Sequence, residues 1–498
     1  MRLRHLAAAA LCVLLLAGCT QRAAIPTPAP SPVPAATPTP TPTPPTDEAV
    51  FAELMAEVNA KNAALSAPDG ALLEQYRYDY GNRMPLLTRE ELEAMPAYEA
   101  WSGWPERLTA REARTEADFL FRLLRTYYGL YTWFGGDGTF GQAQIEVLDA
   151  LEGRDDISVS AYEDLLAQSL DFICDNHFTL GSHVLGGRQS LFCGESLEFT
   201  RRDGAFYQGE RRLLSVDGGD PTHAVKRAIG DDGELTWKLY LTAPAAGRLT
   251  VRLEYEGGTE DAELLPAQDL EYSMEMSGRT YGHVMERGIP VFQIDSMPFR
   301  PGAEVEDRLK SDGVDRDAFL AGTEGLWDAP AAVVNLTRNS GGDGNLPGEW
   351  FREKTGQWVP PHCATLRKDD DRTPADGQFY SEELPGPGLA RRQGGPVLVV
   401  LTTRQTGSAA EDFTDLAHGL ENTLVVGSNT YGCLTGNRAY LKRLPWSGLT
   451  LSCGNALYLW PEGYFAEGVG LEPDVYLTGR DSVSRLNQFL ERYVIANT

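Results

Sequence analysis

Ser408 stands where the sequence predicts that a strand, a tight turn and a helix meet. Residues 397–401 are apolar and mostly β-branched, which is typical of a short buried strand, and Gly407 permits a tight turn. A serine at this junction lies near the positive end of the following helix, where the backbone N–H of Ala409 would point toward a developing oxyanion. The pattern therefore indicates a serine placed for nucleophilic attack.

The same local sequence also fits a purely structural serine. Glu411 follows Ser408 by three residues, which is the spacing of a capping box. On this interpretation Ser408 only caps the helix. The local sequence leaves both roles open, and a nucleophilic serine would also need a base within reach.

Three segments resemble, in order, the motifs of the tail-specific, or C-terminal processing, serine protease family. They are Asn335-Leu-Thr-Arg-Asn-Ser-Gly-Gly342, Thr406-Gly-Ser-Ala-Ala-Glu411 and Glu467-Gly-Val-Gly-Leu-Glu-Pro-Asp474. The resemblance implies an α/β peptidase core of the crotonase-like type, with Ser408 as the nucleophile. It also implies an oxyanion site at Gly341, Gly342 and Ala409, because a glycine has no side chain to obstruct an approaching oxygen.

The base of the Ser–Lys members of this family has no counterpart here. Those members carry a lysine 25 residues after the serine, in a T-F-G-K-G element, and this sequence reads Thr430-Tyr-Gly-Cys-Leu434 at that place. Cys433 therefore occupies the lysine position, and the sequence argues against a Ser–Lys dyad.

A second branch of the family, typified by the tricorn core protease, uses a histidine and a glutamate. The segment Asp-Asn-His-Phe at His177 resembles the D-x-H element of that branch, and Glu467 opens the third motif. The resemblance implies that Ser408 attacks, His177 transfers the proton and Glu467 orients the imidazole. The alternative for His177 is a packed or capping histidine. His418, on the helix after Ser408, is predicted to face solvent.

These residues predict a serine endopeptidase that hydrolyses peptide bonds of an unstructured polypeptide through an acyl-enzyme, with no metal or organic cofactor. Two alternatives stay open. The first is a catalytically inactive peptide-binding lipoprotein that retains the peptidase fold, with Cys433 as a sign of a decayed site. The second gives Cys433 a part in catalysis as a thiolate.

Three predicted regions must bring these residues together. Residues 47–188 are predicted to form an N-terminal helical region, with helix starts near Thr115 and Ser160. Residues 189–272 alternate strand-like runs with glycine turns, which indicates either a domain similar to the peptide-binding PDZ domain or an unrelated small β-rich domain. Residues 273–498 alternate strands with helices, as expected for the α/β peptidase core.

The N-terminus predicts export and lipid anchoring. Residues 1–18 combine two early arginines with a short apolar run, which is typical of a secretory signal peptide. The segment Leu16-Ala17-Gly18-Cys19 resembles a bacterial lipobox and implies a lipid on Cys19; a chance cysteine is the alternative. The proline- and threonine-rich residues 19–46 predict an extended linker. The predicted location is the bacterial cell envelope, outside the cytoplasm and anchored to a membrane by the N-terminal lipid.

The net charge and the cysteine content limit which ligands and covalent links the protein can have. A formal net charge of −27 argues against nucleic acid. Beyond the signal and Cys19 five cysteines remain, so at least one is unpaired within a single chain. Cys433 and Cys453 could face each other across a hairpin, and no cysteine or histidine spacing indicates zinc. The sequence does not define an oligomeric state.

Overall fold

A computed structural model describes most of the chain from Thr46 onward. The described residues are 46–66, 68–80, 86–98, 100, 103–244, 247–272, 281–297, 316–321, 326, 329, 331–368, 380–386, 390 and 397–496. Thr46–Thr498 forms one structural unit. The predicted signal, Cys19 and the predicted linker up to residue 45 lie outside the described residues. Within the described part, no helix is both long and apolar enough to cross a membrane.

Ten α-helices occur in these ranges. They are α1 (Asp47–Ala63), α2 (Ala71–Glu74), α3 (Arg89–Glu93), α4 (Ala110–Tyr127), α5 (Gly136–Ala150), α6 (Val159–Ser169), α7 (Arg316–Ala321), α8 (Leu346–Thr355), α9 (Ala409–His418) and α10 (Ser482–Phe489). Two predicted helix starts were wrong, because residues further upstream provide the caps. Thr109 caps α4 in a capping box with Glu112, and Ser158 caps α6.

The described part also contains a π-helix, Leu490–Ile495, and twenty-one strands. They are β1 (Arg107–Thr109), β2 (Asp156–Ser158), β3 (Thr179–Leu180), β4 (His183–Val184), β5 (Ser190–Arg202), β6 (Ala205–Gln208), β7 (Arg211–Val216), β8 (Val225–Ile229), β9 (Leu235–Ala243), β10 (Leu249–Tyr255), β11 (Gly258–Pro266), β12 (Tyr281–Glu286), β13 (Ile289–Ile294), β14 (Ala331–Asn335), β15 (Ala364–Lys368), β16 (Tyr380–Glu383), β17 (Val397–Thr402), β18 (Thr423–Gly427), β19 (Gly436–Arg443), β20 (Thr450–Leu459) and β21 (Val475–Tyr476).

The C-terminal region is built on a parallel sheet in the order β13-β14-β17-β18-β21. Both faces of β17 are buried, as expected for a parallel strand covered by helices. Leu398 and Val400 pack with Phe413 of α9 on one face, whereas Val399 and Leu401 pack with residues of α1 and α10 on the other. This arrangement confirms the predicted strands and the mixed α/β character of the core.

Residues 189–272 extend the same sheet. Their seven strands, β5 to β11, join the parallel strands through a pairing of β8 with β21. The stretch also contains the 3₁₀ turn Pro221–His223, and its described part contains no α-helix. The β-rich character is confirmed, whereas likeness to a PDZ domain stays a prediction.

A second sheet carries the histidine toward the core. The two residues of β3 follow His177 and pair with β20, which also pairs with β19 and β15. Around this sheet, residues of α4, α5 and α6 form one hydrophobic cluster with β20. The N-terminal region is therefore anchored to the C-terminal region by both strand pairing and a shared core.

The five described cysteines are all unpaired. Cys453 lies in β20 opposite Tyr440 of β19, whereas Cys433 precedes β19 and contacts other residues. The two cysteines therefore do not face each other across a hairpin, the arrangement that the sequence left open.

Candidate active site

Ser408 occupies a strained turn directly before α9. Its backbone has φ 53° and ψ −125°, a combination that costs free energy for a residue with a side chain. The same kind of sharp strand-to-helix turn presents the nucleophile in hydrolases of several folds. This backbone conformation directs the Ser408 hydroxyl away from the end of α9 and toward His177 of the N-terminal region.

His177 meets Ser408 although 231 residues separate them. The Nε2 atom lies 3.0 Å from the Ser408 Oγ atom, and Nδ1 lies 2.6 Å from the carbonyl oxygen of Gly436. A carbonyl oxygen only accepts, so Nδ1 carries the hydrogen and Nε2 is left as the acceptor. The ring is thus held in the tautomer that a general base needs.

Glu467 does not contact the His177 ring. Its Oε1 atom accepts from the backbone N–H of Asn176 at 2.7 Å, and its Oε2 atom accepts from the N–H of Thr435 at 3.0 Å. The expectation that Glu467 orients the imidazole is therefore wrong: the Gly436 carbonyl holds Nδ1. Glu467 instead joins the residue before the histidine to the residue before Gly436.

Asp175 is a second buried carboxyl on the histidine side. It accepts hydrogen bonds from the Tyr128 hydroxyl at 2.8 Å and from the His177 N–H at 2.9 Å. Burial raises the pKa of Asp175, and burial together with the nearby Asp175 charge raises the pKa of Glu467 to about 8. Near neutral pH, Glu467 therefore holds a proton.

The predicted oxyanion donors separate into two groups. Among the described residues, the N–H groups of Gly342 and Ala409 have no hydrogen-bond partner. The N–H of Gly341 donates to the Asn339 side-chain oxygen at 2.8 Å, so its prediction as a donor is wrong for this structure. Gly341 matters through its size, because a Cβ atom there would lie 2.6 Å from the Cβ of Ser408.

Glu411 organises the serine side far beyond a capping box. Its Oε1 atom accepts from the Thr430 hydroxyl and the Gly432 N–H, at 2.6 and 2.8 Å. Its Oε2 atom accepts from the Ser408 N–H, the Cys433 N–H and the Cys433 thiol, at 3.0 to 3.1 Å. The side chain is fully buried. The sequence signals for Glu411 were the capping spacing and its place at the end of the segment Thr406–Glu411.

Cys433 contacts the backbone of the nucleophile. Its thiol accepts from the Ser408 N–H at 3.1 Å while it donates to Glu411. Burial and the charges of Glu411 and Glu467 raise the pKa of the thiol well above its usual range. A thiol in this setting stays protonated and helps to position the serine loop.

His418 is buried at the far end of α9, so its predicted exposure was wrong. Its Nδ1 atom lies 3.0 Å from the Tyr464 hydroxyl, which donates to Asp415 at 2.8 Å. Burial lowers the pKa of His418 to about 4, so the ring is neutral. Ten residues of helix place it about 15 Å along the axis from Ser408, beyond reach of the hydroxyl.

Comparison with known proteins supports a peptidase. Residues 315–477 match the model of peptidase family S41, and this stretch includes Ser408, Cys433 and Glu467 but not His177. This stretch of the chain is therefore similar to the peptidase family S41 domain. No curated protein matches the sequence.

Several solved structures are similar to this chain. Mature CPAF is 16% identical, with a TM-score of 0.41 over 78% of this chain and 97% of that chain. The photosystem II D1 C-terminal processing protease is 15% identical, with a TM-score of 0.34 over 73% of this chain and 93% of that chain. The tricorn protease is 14% identical, with a TM-score of 0.32 over 78% of this chain and 36% of that chain. These likenesses single out no branch of the family.

Proposed function

We propose that this protein is a serine endopeptidase in which Ser408 and His177 form the catalytic pair. One observation carries the proposal: a histidine nitrogen, left as an acceptor by the Gly436 carbonyl, lies 3.0 Å from a serine hydroxyl held in a strained turn. Ser408 and Glu411 also form a capping box, but a capping role alone does not require the serine hydroxyl to contact an imidazole.

The catalytic steps follow from this geometry. The Ser408 oxygen attacks the carbonyl carbon of the scissile peptide bond while its proton passes to His177 Nε2. The N–H groups of Ala409 and Gly342 stabilise the oxyanion of the tetrahedral intermediate. The imidazolium then gives its proton to the leaving amine, and an acyl-enzyme remains. Water, deprotonated by His177, hydrolyses the ester and restores the serine.

The other residues around the pair act by positioning. Glu467 and Asp175 accept from the backbone N–H groups of Asn176 and His177, whereas Glu411 and Cys433 accept from the N–H of Ser408. In this proposal the chemistry belongs to the histidine-using branch, since a buried neutral thiol replaces the lysine. The substrate is a polypeptide, and the chemistry requires no metal or organic cofactor.

We place the enzyme outside the cytoplasm, on a lipid attached to Cys19. The support is the lipobox-like segment after an apolar run and the proline-rich stretch before α1. In a bacterial host, the parent protein should partition into the detergent phase of a Triton X-114 extract, whereas Cys19→Ala should lose its lipid and appear in the aqueous phase. Detergent partition unaffected by Cys19→Ala would refute the anchor without affecting the catalytic proposal.

Labelling with a fluorophosphonate probe tests the enzyme proposal against the inactive peptide-binding alternative. The probe forms a covalent bond with an activated serine, so the parent protein should be labelled and Ser408→Ala should not. Ser447→Ala is the matched control, because Ser447 is also buried but lies away from the site. Equal labelling of the parent and Ser408→Ala would leave only the binding alternative.

A further inference from the structure

Arg188 is an exposed arginine that contacts Tyr431 and the loop between β17 and Ser408, without a carboxylate partner among the described residues. Its guanidinium lies 4.9 Å from the ring centre of Tyr431, and its Nη2 atom donates to the Arg404 carbonyl at 2.9 Å. Among the described residues, no carboxylate lies within ion-pair distance of it. Other exposed arginines, such as Arg202 and Arg252, pair with carboxylates in this strongly acidic chain.

Tyr431 connects this arginine to the catalytic turn. Its N–H donates to the carbonyl of Thr406 at 2.7 Å, two residues before Ser408. A Cβ atom placed on Gly407 would lie 3.3 Å from the Cβ of Tyr431, so the tyrosine lies directly against the turn. The ring is half-buried and therefore provides a fixed surface for the guanidinium.

The backbone that carries Arg188 is fixed as well. The N–H of Gln189 donates to the carbonyl of Gly468 at 3.0 Å, next to Glu467. The buried Arg404 donates to the carbonyls of Gln189 and Gly468, both at 2.8 Å. The backbone next to Arg188 is therefore held in place. The contacts of the Arg188 side chain neutralise none of its charge.

We propose that Arg188, supported by Tyr431, binds a carboxylate of the polypeptide substrate close to the scissile bond. This inference rests on the proposed peptidase function. A guanidinium with free N–H groups in a fixed position matches the geometry of a carboxylate, and the charge-assisted bond is stronger than a neutral one. The carboxylate is either an aspartate or glutamate side chain or the C-terminal carboxylate, which have the same chemistry.

Fluorogenic peptides distinguish the two sources. The base peptide is chosen from the cleavage map of unfolded casein, with neutral side chains and an amidated C-terminus. One arm introduces a glutamate at each position near the scissile bond, and the other replaces the amide by a free C-terminus. The parent should cleave one set with a kcat/KM about 10-fold higher than the base peptide. The arm that shows the preference identifies the source.

Three variants test the residue. Arg188→Gln should lose the preference for the carboxylate, and Arg188→Lys should keep part of it. Arg188→Glu should instead favour the peptide that carries a lysine at the same position, a reversal that loss of folding cannot produce. Arg202→Gln is the matched control, because Arg202 also lies over a tyrosine ring, at 5.2 Å, but in the β-rich region; it should keep the parental preference.

Two results would overturn the inference, and they are distinguishable. If the parent is labelled by the fluorophosphonate and cleaves peptides without any carboxylate preference, or if Arg188→Gln and Arg188→Glu keep the parental preference, the subsite is wrong and the peptidase proposal stands. If the parent is neither labelled nor active on peptides, the peptidase proposal fails and the subsite fails with it.

Discussion

The two sides of the catalytic pair are built in different ways. On the serine side, a single buried carboxylate, Glu411, receives five hydrogen bonds from the loops around Ser408. On the histidine side, Asp175 and Glu467 share the support of His177, and burial together with the nearby Asp175 charge raises the pKa of Glu467 to about 8. The serine side therefore depends on one carboxyl group that accepts hydrogen bonds, whereas the histidine side depends on two carboxyl groups, one of which holds a proton near neutral pH.

The largest effect should come from the serine side. In Glu411→Gln, an amide NH₂ would face donors that now point at a carboxylate oxygen, leaving buried N–H groups without acceptors. We expect a loss of about 3 kcal/mol in the free energy of unfolding and about a 100-fold loss of activity from the displaced turn. Urea unfolding measures the free energy of unfolding, and the rate of probe labelling measures the activity. The control Glu462→Gln, at an exposed position, should change neither quantity. If Glu411→Gln keeps the parental stability and labelling rate, Glu411 does not organise the serine side.

A smaller effect is expected at Gly436, whose carbonyl oxygen accepts from His177 Nδ1. A Cβ atom on Gly436 would lie 2.6 Å from Asp175 Oδ2, so Gly436→Ala should displace the carbonyl that holds His177 Nδ1. We expect a 10- to 100-fold loss of kcat in a folded protein, from mispositioning of the base. Gly258→Ala, in open space on β11, is the control. Unchanged kcat for Gly436→Ala would mean that the carbonyl does not orient the ring.

The pH dependence of stability separates the two sides directly. The folded protein holds a proton on Glu467 that the unfolded chain releases near pH 4.5, so the free energy of unfolding should fall as pH rises from about 4.5 to 8. The slope from one such group is at most about 1.4 kcal/mol per pH unit. Urea unfolding at pH 5.5, 6.5 and 7.5 should show a steeper fall for the parent than for Glu467→Gln. Identical slopes for the two proteins would contradict the claim that folded Glu467 holds a proton at these pH values.

The smallest effect should come from Cys433. Because its thiol stays protonated and only positions the loop, Cys433→Ser should keep activity within about 10-fold, since a hydroxyl makes the same two kinds of bond. Steady-state cleavage of a peptide measures it. Complete loss of activity in Cys433→Ser, with normal folding, would instead support the thiolate alternative.

The same contrast explains what the sequence could predict. The serine side is local: an apolar β-branched run, a glycine and an amphipathic helix lie within 25 residues, and each has a recognisable period. The strand predicted at 397–401 became β17 with one further residue. Parallel strands in the core were equally readable, because burial on both faces requires continuous apolar runs.

The histidine side could not be read in the same way. His177 reaches Ser408 through the two-residue strand β3, whose pairing with β20 leaves no period in the sequence. The partner of the His177 ring is the backbone carbonyl of Gly436. Every residue has such a carbonyl, so no residue type in the sequence marks it, and the sequence analysis assigned the orienting role to Glu467. His418 was misassigned for a related reason: Tyr464 covers the side of helix α9 that carries Asp415 and His418, so the helical period did not indicate a solvent-facing side.

The central claim is that His177 activates Ser408, and the rate of fluorophosphonate labelling tests it most directly. His177→Ala should be labelled at Ser408 at least about 100-fold more slowly than the parent at pH 7.5, which is the contribution expected of a general base. His183→Ala, a surface histidine on β4, should be labelled at the parental rate. Labelling of His177→Ala at the parental rate, at Ser408, would contradict the account.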